Sequence, residues 1–261
     1  MIHRCAELFP KSCSRFRGSS VVLVGLAEAV VYGRFVSNEV KNRNFAYAIS
    51  IMKHSQVHCA GILVKLEWTL TACSCVGYFF HRKFREYRID TIVLIGGTIE
   101  NVVTSHNYER VQLRKATDVV HHPNCSEGRG GQVWGHDFGM YESEKFELKK
   151  ELRPAHLHPE DRLRDMILLW VSLEAVCETI GWGMTVINFT TQYFKPSNTL
   201  KVADVHLMDW GECGLKLCQQ PLSICDEKIY GLGKLCAMNI NGSDSCDKDE
   251  GGKQFVRGAR H

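Results

Sequence analysis

The sequence predicts an all-β protein built in two antiparallel halves. Two observations carry that prediction. Short apolar stretches rich in Val, Ile and Thr recur along the chain, each broken by Gly, Asn or Ser, which is the pattern of a sandwich or barrel of short strands. No internal repeat, heptad or low-complexity run points instead to a solenoid or coiled coil.

In chain order, the predicted strands cover residues 47–52, 61–63, 68–72, 91–95 and 119–120. The strongest helical candidate is residues 145–153, charged and without a wide apolar stripe, with Pro154 to end it. A polar joint at residues 153–164 divides the chain into halves of comparable size. Ahead of the first strand, the apolar stretch 21–31 is interrupted by Gly25 and Glu28, follows Arg15 and Arg17, and contains Ala27-Glu28-Ala29. Basic residues, an apolar run and a small-x-small site describe a secretory signal peptide. The apolar part is short, so residues 1–29 also fit a disordered leader or a mis-assigned start.

Composition narrows the function classes. Hydrophobic residues make up 44% and charged residues 23% of the 261 residues, ordinary shares for a globular protein. The net charge is only +3 and the basic residues are scattered, which gives nucleic-acid binding no electrostatic footprint. No stretch approaches the roughly 20 apolar residues that span a bilayer as a helix. The 12 cysteines are an even number at high density, which fits secretion into an oxidising compartment. Acceptor triplets for N-glycosylation begin at Asn124, Asn188 and Asn241.

Local motifs then occur in a telling order. They are Val30-Val31-Tyr32-Gly33; His58-Cys59-Ala60-Gly61; Trp68-Thr69-Leu70-Thr71-Ala72-Cys73-Ser74-Cys75; and His122-Pro123-Asn124 followed by His136-Asp137-Phe138. Further on come Leu152-Arg153-Pro154-Ala155, Gly181-Trp182-Gly183 and Asp244-Ser245-Cys246-Asp247-Lys248-Asp249-Glu250-Gly251-Gly252. In this order they resemble the trypsin- and chymotrypsin-like serine proteases from residue 30 to about 255. The resemblance implies two antiparallel six-stranded β-barrels, the first over about 30–150 and the second over about 160–261. It also implies that the second barrel is incomplete, because the chain ends at His261, soon after the nucleophile loop.

Peptide hydrolysis in that family needs a hydroxyl nucleophile, an imidazole that takes its proton, and a buried carboxylate that orients the imidazole. The resemblance puts Ser74 at the histidine position, just before Cys75, and Glu250 at the nucleophile position, just before Gly251-Gly252. Only Asp137, the orienter, is kept. A serine hydroxyl is no base near neutral pH, and a carboxylate is a poor nucleophile toward an amide. Losing nucleophile or base costs about 10⁶ in turnover where the two act as a unit. Lys248 stands where the family uses a glycine to supply an oxyanion-hole N–H.

Other positions are carried over in the same way. Asp244 stands where trypsin-like members hold the aspartate that binds Arg or Lys, although an exposed carboxylate fits it better here. Val30 and Asp249 match the new amino terminus and its carboxylate partner, but Ala29 precedes Val30, so no trypsin-like activation cut is expected. Cys59 and Cys75 match the family's first disulfide. Cys213 and Cys236 are candidates for a second, with Cys218 or Cys225 as substitutes. Cys177 and Cys246 are left orphaned or differently paired, since connectivity does not follow from sequence.

No metal or other cofactor is expected. The cysteines lack the paired spacing of structural zinc sites, and the acidic cluster Asp244, Asp247, Asp249 and Glu250 lacks the ligand pattern of a calcium loop. The expectation is a secreted, non-catalytic protease homologue that binds a protease, an inhibitor or a protein substrate. An active serine endopeptidase and a degenerate product with unpaired strand edges are the alternatives.

Overall fold

A computed structural model describes residues 21–24, 34–38, 44–101, 109–127, 134–157, 165, 168–173, 175–182, 184–188, 193–209, 211–213, 215 and 235–239. Two short strands, β1 (Val21–Val24) and β2 (Arg34–Phe35), lie ahead of the first half and pair with the second. The first half holds β3 (Ala48–Lys53), β4 (Gln56–Lys65), β5 (Trp68–Thr71), β6 (Gly77–Phe80), β7 (Lys83–Glu86) and β8 (Ile92–Gly96). It continues through β9 (Gln112–His121), β10 (Ser126–Glu127), β11 (Trp134–Gly135) and β12 (Gly139–Ser143).

Six of these strands close a barrel in the order β12-β5-β4-β3-β8-β9, every pair antiparallel. Closure removes the unpaired edges that an open sheet would expose. The barrel interior is filled by Ile49, Ile51, Leu63, Ile92, Leu94, Ala116, Val119 and Tyr141. Alternation explains most of that set, since successive side chains of a strand point to opposite faces. Along β9 the buried positions shift from Gln112 and Ala116 to Val119, an odd step. A bulge opposite Glu142 and Ser143 accounts for it, because one extra residue flips the face that follows.

The second half holds β13 (Val176–Gly181), β14 (Met184–Asn188), β15 (Tyr193–Pro196), β16 (Lys201–Met208) and β17 (Leu235–Asn239). Its main sheet runs β1-β17-β16-β13, with β2 also paired to β16, while β14 and β15 form a separate hairpin. Among the described residues, the second half is therefore an incomplete barrel. β1 lies within residues 1–29. Val21–Val24 pair with Leu235–Met238, so this apolar run forms a strand of the second sheet.

The halves are joined by a shared apolar layer. Phe45, Tyr47, Ala48, Val57 and Ala60 from the first half pack with Trp182, Leu200 and Val202 from the second, and with Ala155 of the joint. Trp182 is fully buried, and its indole N–H donates to the carbonyl of Ile99 at 2.7 Å. That bond satisfies the one polar group that a buried tryptophan carries.

The helix expected over residues 145–153 is not formed. This stretch is irregular, with a turn at residues 150–151 closed by the Lys149–Leu152 bridge. Phe146 and Leu152 are both buried in the first barrel's core, and six residues apart they fall on different faces of a helix. The Phe146 N–H bonds the Leu66 carbonyl at 2.9 Å and the Arg153 N–H bonds that of Ala46. Burying both apolar side chains overrides the helical preference of the charged residues between them. Among the described residues, no helix is long and apolar enough to cross a membrane.

Candidate active-site region

Ser74 lies in a single-turn helix, Cys73–Val76, placed between β5 and β6. All four residues of that turn are buried, and two disulfides hold it. Cys75 bonds Cys59 of β4, and Cys73 bonds Cys125 in the turn after β9. Tyr141 of β12 adds a third tie, its hydroxyl donating to the Cys75 carbonyl at 2.8 Å. The His58 Nε2–H donates to the same carbonyl at 3.1 Å, and the His58 ring meets Tyr87 edge-on. Burial pushes the Tyr141 phenol well above its ordinary value of 10.0, with a smaller contribution from Tyr87.

Asp137 enters from the opposite side. His136, just before it, has a left-handed φ of 46°, uncommon for a residue with a β-carbon. The Phe138 N–H then closes onto the His136 carbonyl at 2.7 Å. This tight reversal turns the Asp137 side chain inward, where it is only 4% exposed. Its Oδ1 accepts the Ser74 N–H at 2.9 Å and its Oδ2 faces the Ser74 hydroxyl, the donor, at 3.4 Å. The structure thus brings together Ser74 and Asp137, residues separated by 63 positions.

The chemistry of this pair is limited. A neutral hydroxyl orients toward a buried carboxylate and satisfies it, but it has no affinity for a second proton near neutral pH. The sulfurs of Cys73 and Cys125 lie within 4.8 Å of the Asp137 carboxylate. Because they are bonded to each other, they are not thiolate ligands.

The remaining sequence-derived positions are distributed as follows. Val30, Asp244, Lys248, Asp249, Glu250 and Asn241 lie outside the described residues. Cys177 and Cys213 are each disulfide-bonded and fully buried, so Cys177 is not an orphan. Cys236 lies on β17 and Asn188 on β14, and their side chains are outside the described set. Asn124 is exposed in the turn that follows β9. The Cys73–Cys125 disulfide was missed by sequence reasoning. The only signal for it was the Cys73-Ser74-Cys75 doublet, which gives two half-cystines but no partner for the first.

The arrangement of a closed six-stranded barrel, a buried aspartate and a cystine-flanked turn can be matched to known proteins. The trypsin family model matches residues 35–257. The chain belongs to the trypsin family. It is 24% identical to human kallikrein-10 over 79% of this chain and 63% of that protein, just under two thirds of its length. It is 23% identical to serine proteinase homolog 1 of the viper Vipera ammodytes ammodytes, over 99% of this chain and 82% of that one. It is also 24% identical to the fibrinogenase OhS1 of Ophiophagus hannah, over 90% of this chain and 76% of that protein. Mouse neuropsin, a serine protease of known structure, matches with a TM-score of 0.56 at 20% identity, over 85% of this chain and 80% of that one. The relatives thus include proteins named as proteases and proteins named as homologues.

Proposed function

We propose that this trypsin-family chain is a secreted, non-catalytic homologue that acts by binding a protein partner: a protease, an inhibitor or a protease's substrate. One observation carries the reading. The buried carboxylate of Asp137 is hydrogen-bonded by the backbone and hydroxyl of Ser74, where hydrolysis needs an imidazole. The sequence adds Glu250 before Gly251-Gly252 and Lys248 two residues earlier, so nucleophile and oxyanion donor both depart from what acyl transfer requires. Disulfides at Cys59–Cys75 and Cys73–Cys125 support an oxidising, extracellular setting.

The test is fluorophosphonate labelling of the purified, disulfide-intact protein, with trypsin as the positive control. No covalent adduct is expected. An adduct mapped to a serine of this chain would overturn the reading.

A further inference from the structure

We propose that the outer face of the β6–β7 hairpin docks an extended, acidic segment of a partner protein; this rests on the reading that the chain works by binding. The hairpin leaves the Ser74 turn directly and is fused to it. Gly77 lies so close to the Phe84 ring and the Arg85 carbonyl that a β-carbon there has no room. Its register pairs Tyr78 with Arg85, Phe79 with Phe84 and Phe80 with Lys83.

That register separates two faces. Phe79 and Phe84 meet at 5.3 Å, and Phe84 lies on His121 and packs against the first barrel's core. Tyr78, Phe80, Lys83 and Arg85 share the other face and are all exposed, Tyr78 at 45% and Phe80 at 56%. The face continues through Tyr87, which stacks on Tyr78 and carries the Lys53 ammonium 3.3 Å from its ring centre.

The charges on this face are not balanced locally. Among the described residues, Arg82, Lys83 and Arg85 make no salt bridge, whereas Arg88 is tied to Asp90 and Glu86 to His121. The turn itself holds His81 and Arg82 at left-handed φ of 49° and 61°. That is the geometry of a two-residue hairpin turn, usually given to Asn or Gly. Two bulky residues there keep a strained backbone, a feature that gathers at functional positions.

The chemistry selects the occupant. Exposed aromatics beside an arginine, as Tyr78 and Phe80 stand beside Arg85, are residue types enriched at interface centres, and Lys83 adds a second positive charge. Lys83 and Arg85 are two residues apart on a strand, roughly 6.5–7 Å, which is the spacing of alternate side chains in an extended peptide. Carboxylates at alternate positions of such a segment would face both cations, and their methylene stems would lie over Tyr78 and Phe80 on the same face. A sulfated polysaccharide would meet the cations with little use for the aromatic pair.

The probe is a fluorescein-labelled octapeptide of alternating Glu and Leu, titrated with the full, disulfide-intact protein by fluorescence polarisation. Saturable binding is expected, weakened at least about ten-fold by Lys83→Glu with Arg85→Glu, since juxtaposed like charges strongly disfavour association. A similar loss is expected from Tyr78→Ser with Phe80→Ser. For the unmodified protein, raising salt from about 0.05 to about 0.5 M should weaken binding, because exposed pairs are screened. That measurement needs no variant to fold. Absence of saturable binding, affinity unmoved by either variant pair or by salt, or tighter binding of a heparin fragment that survives the aromatic variants would each overturn the proposal. None of these outcomes touches the fluorophosphonate result, so the hairpin can fail while the non-catalytic reading stands.

Discussion

Removing the Cys73–Cys125 disulfide, by Cys73→Ala with Cys125→Ala, should be among the most damaging changes in the first half. The half-cystines are 52 residues apart, and in the chain-entropy model a loop of that length contributes about 4 kcal/mol. The neighbouring Cys59–Cys75 bridge spans 16 residues and contributes about 3 kcal/mol on the same model. The two loops share residues 73–75, so removing both should cost less than the sum. The local consequence is sharper than the global one. Ser74 stands between the two half-cystines, and its N–H is held by Asp137 at 2.9 Å. Urea unfolding followed by tryptophan fluorescence reads the first effect, and hydrogen exchange at the Ser74 amide reads the second. Stability lowered by less than about 1 kcal/mol, with Ser74 protection unchanged, would refute the idea that this bridge fixes the turn.

Other expectations follow from the same geometry. Tyr141→Phe should cost about 1 kcal/mol for the lost bond to the Cys75 carbonyl, measured by urea unfolding. Because burial raises the Tyr141 phenol above its ordinary 10.0, the unfolded chain ionises first, so stability is full below about pH 10 and falls above it; Tyr141→Phe should flatten that alkaline decline in a pH series of unfolding curves. Deleting residues 21–24 removes β1 from β17 and leaves a bare strand edge, which invites association; light scattering should rise, and unchanged behaviour would argue that the strand is dispensable. Ser74→His with Glu250→Ser should not restore a probe-reactive serine, since Lys248 remains at the oxyanion position and one missing donor costs about 10²–10³. Adding Lys248→Gly should be required, and labelling of the double variant alone would contradict this.

Much of the first half was legible in the sequence because its buried residues alternate. Ile49 and Ile51 point into one interior from β3, and that period survives without any knowledge of partners. The long strand β9 was legible only as residues 119–120, since its bulge breaks the alternation on which the reading depends. Residues 145–153 misled because Lys, Glu and Leu favour helix locally, while burial of Phe146 and Leu152 decides the backbone globally. Val21–Val24 reads equally as a signal-peptide core or a strand, because a short apolar run carries no period of its own. In the site, Ser74 and Asp137 were legible from the Cys75 and Phe138 motifs beside them. The Cys73–Cys125 bond was not, since pairing is a matter of distance in space and leaves no mark on spacing.

Turnover of Arg, Lys and aromatic ester substrates by the purified, inhibitor-column-cleared protein is the most direct test of a non-catalytic site. The hydroxyl of Ser74 on Asp137 and the carboxylate at Glu250 predict a rate equal to buffer, unchanged in Glu250→Ala. Turnover above buffer that disappears in Glu250→Ala or Ser74→Ala would contradict it.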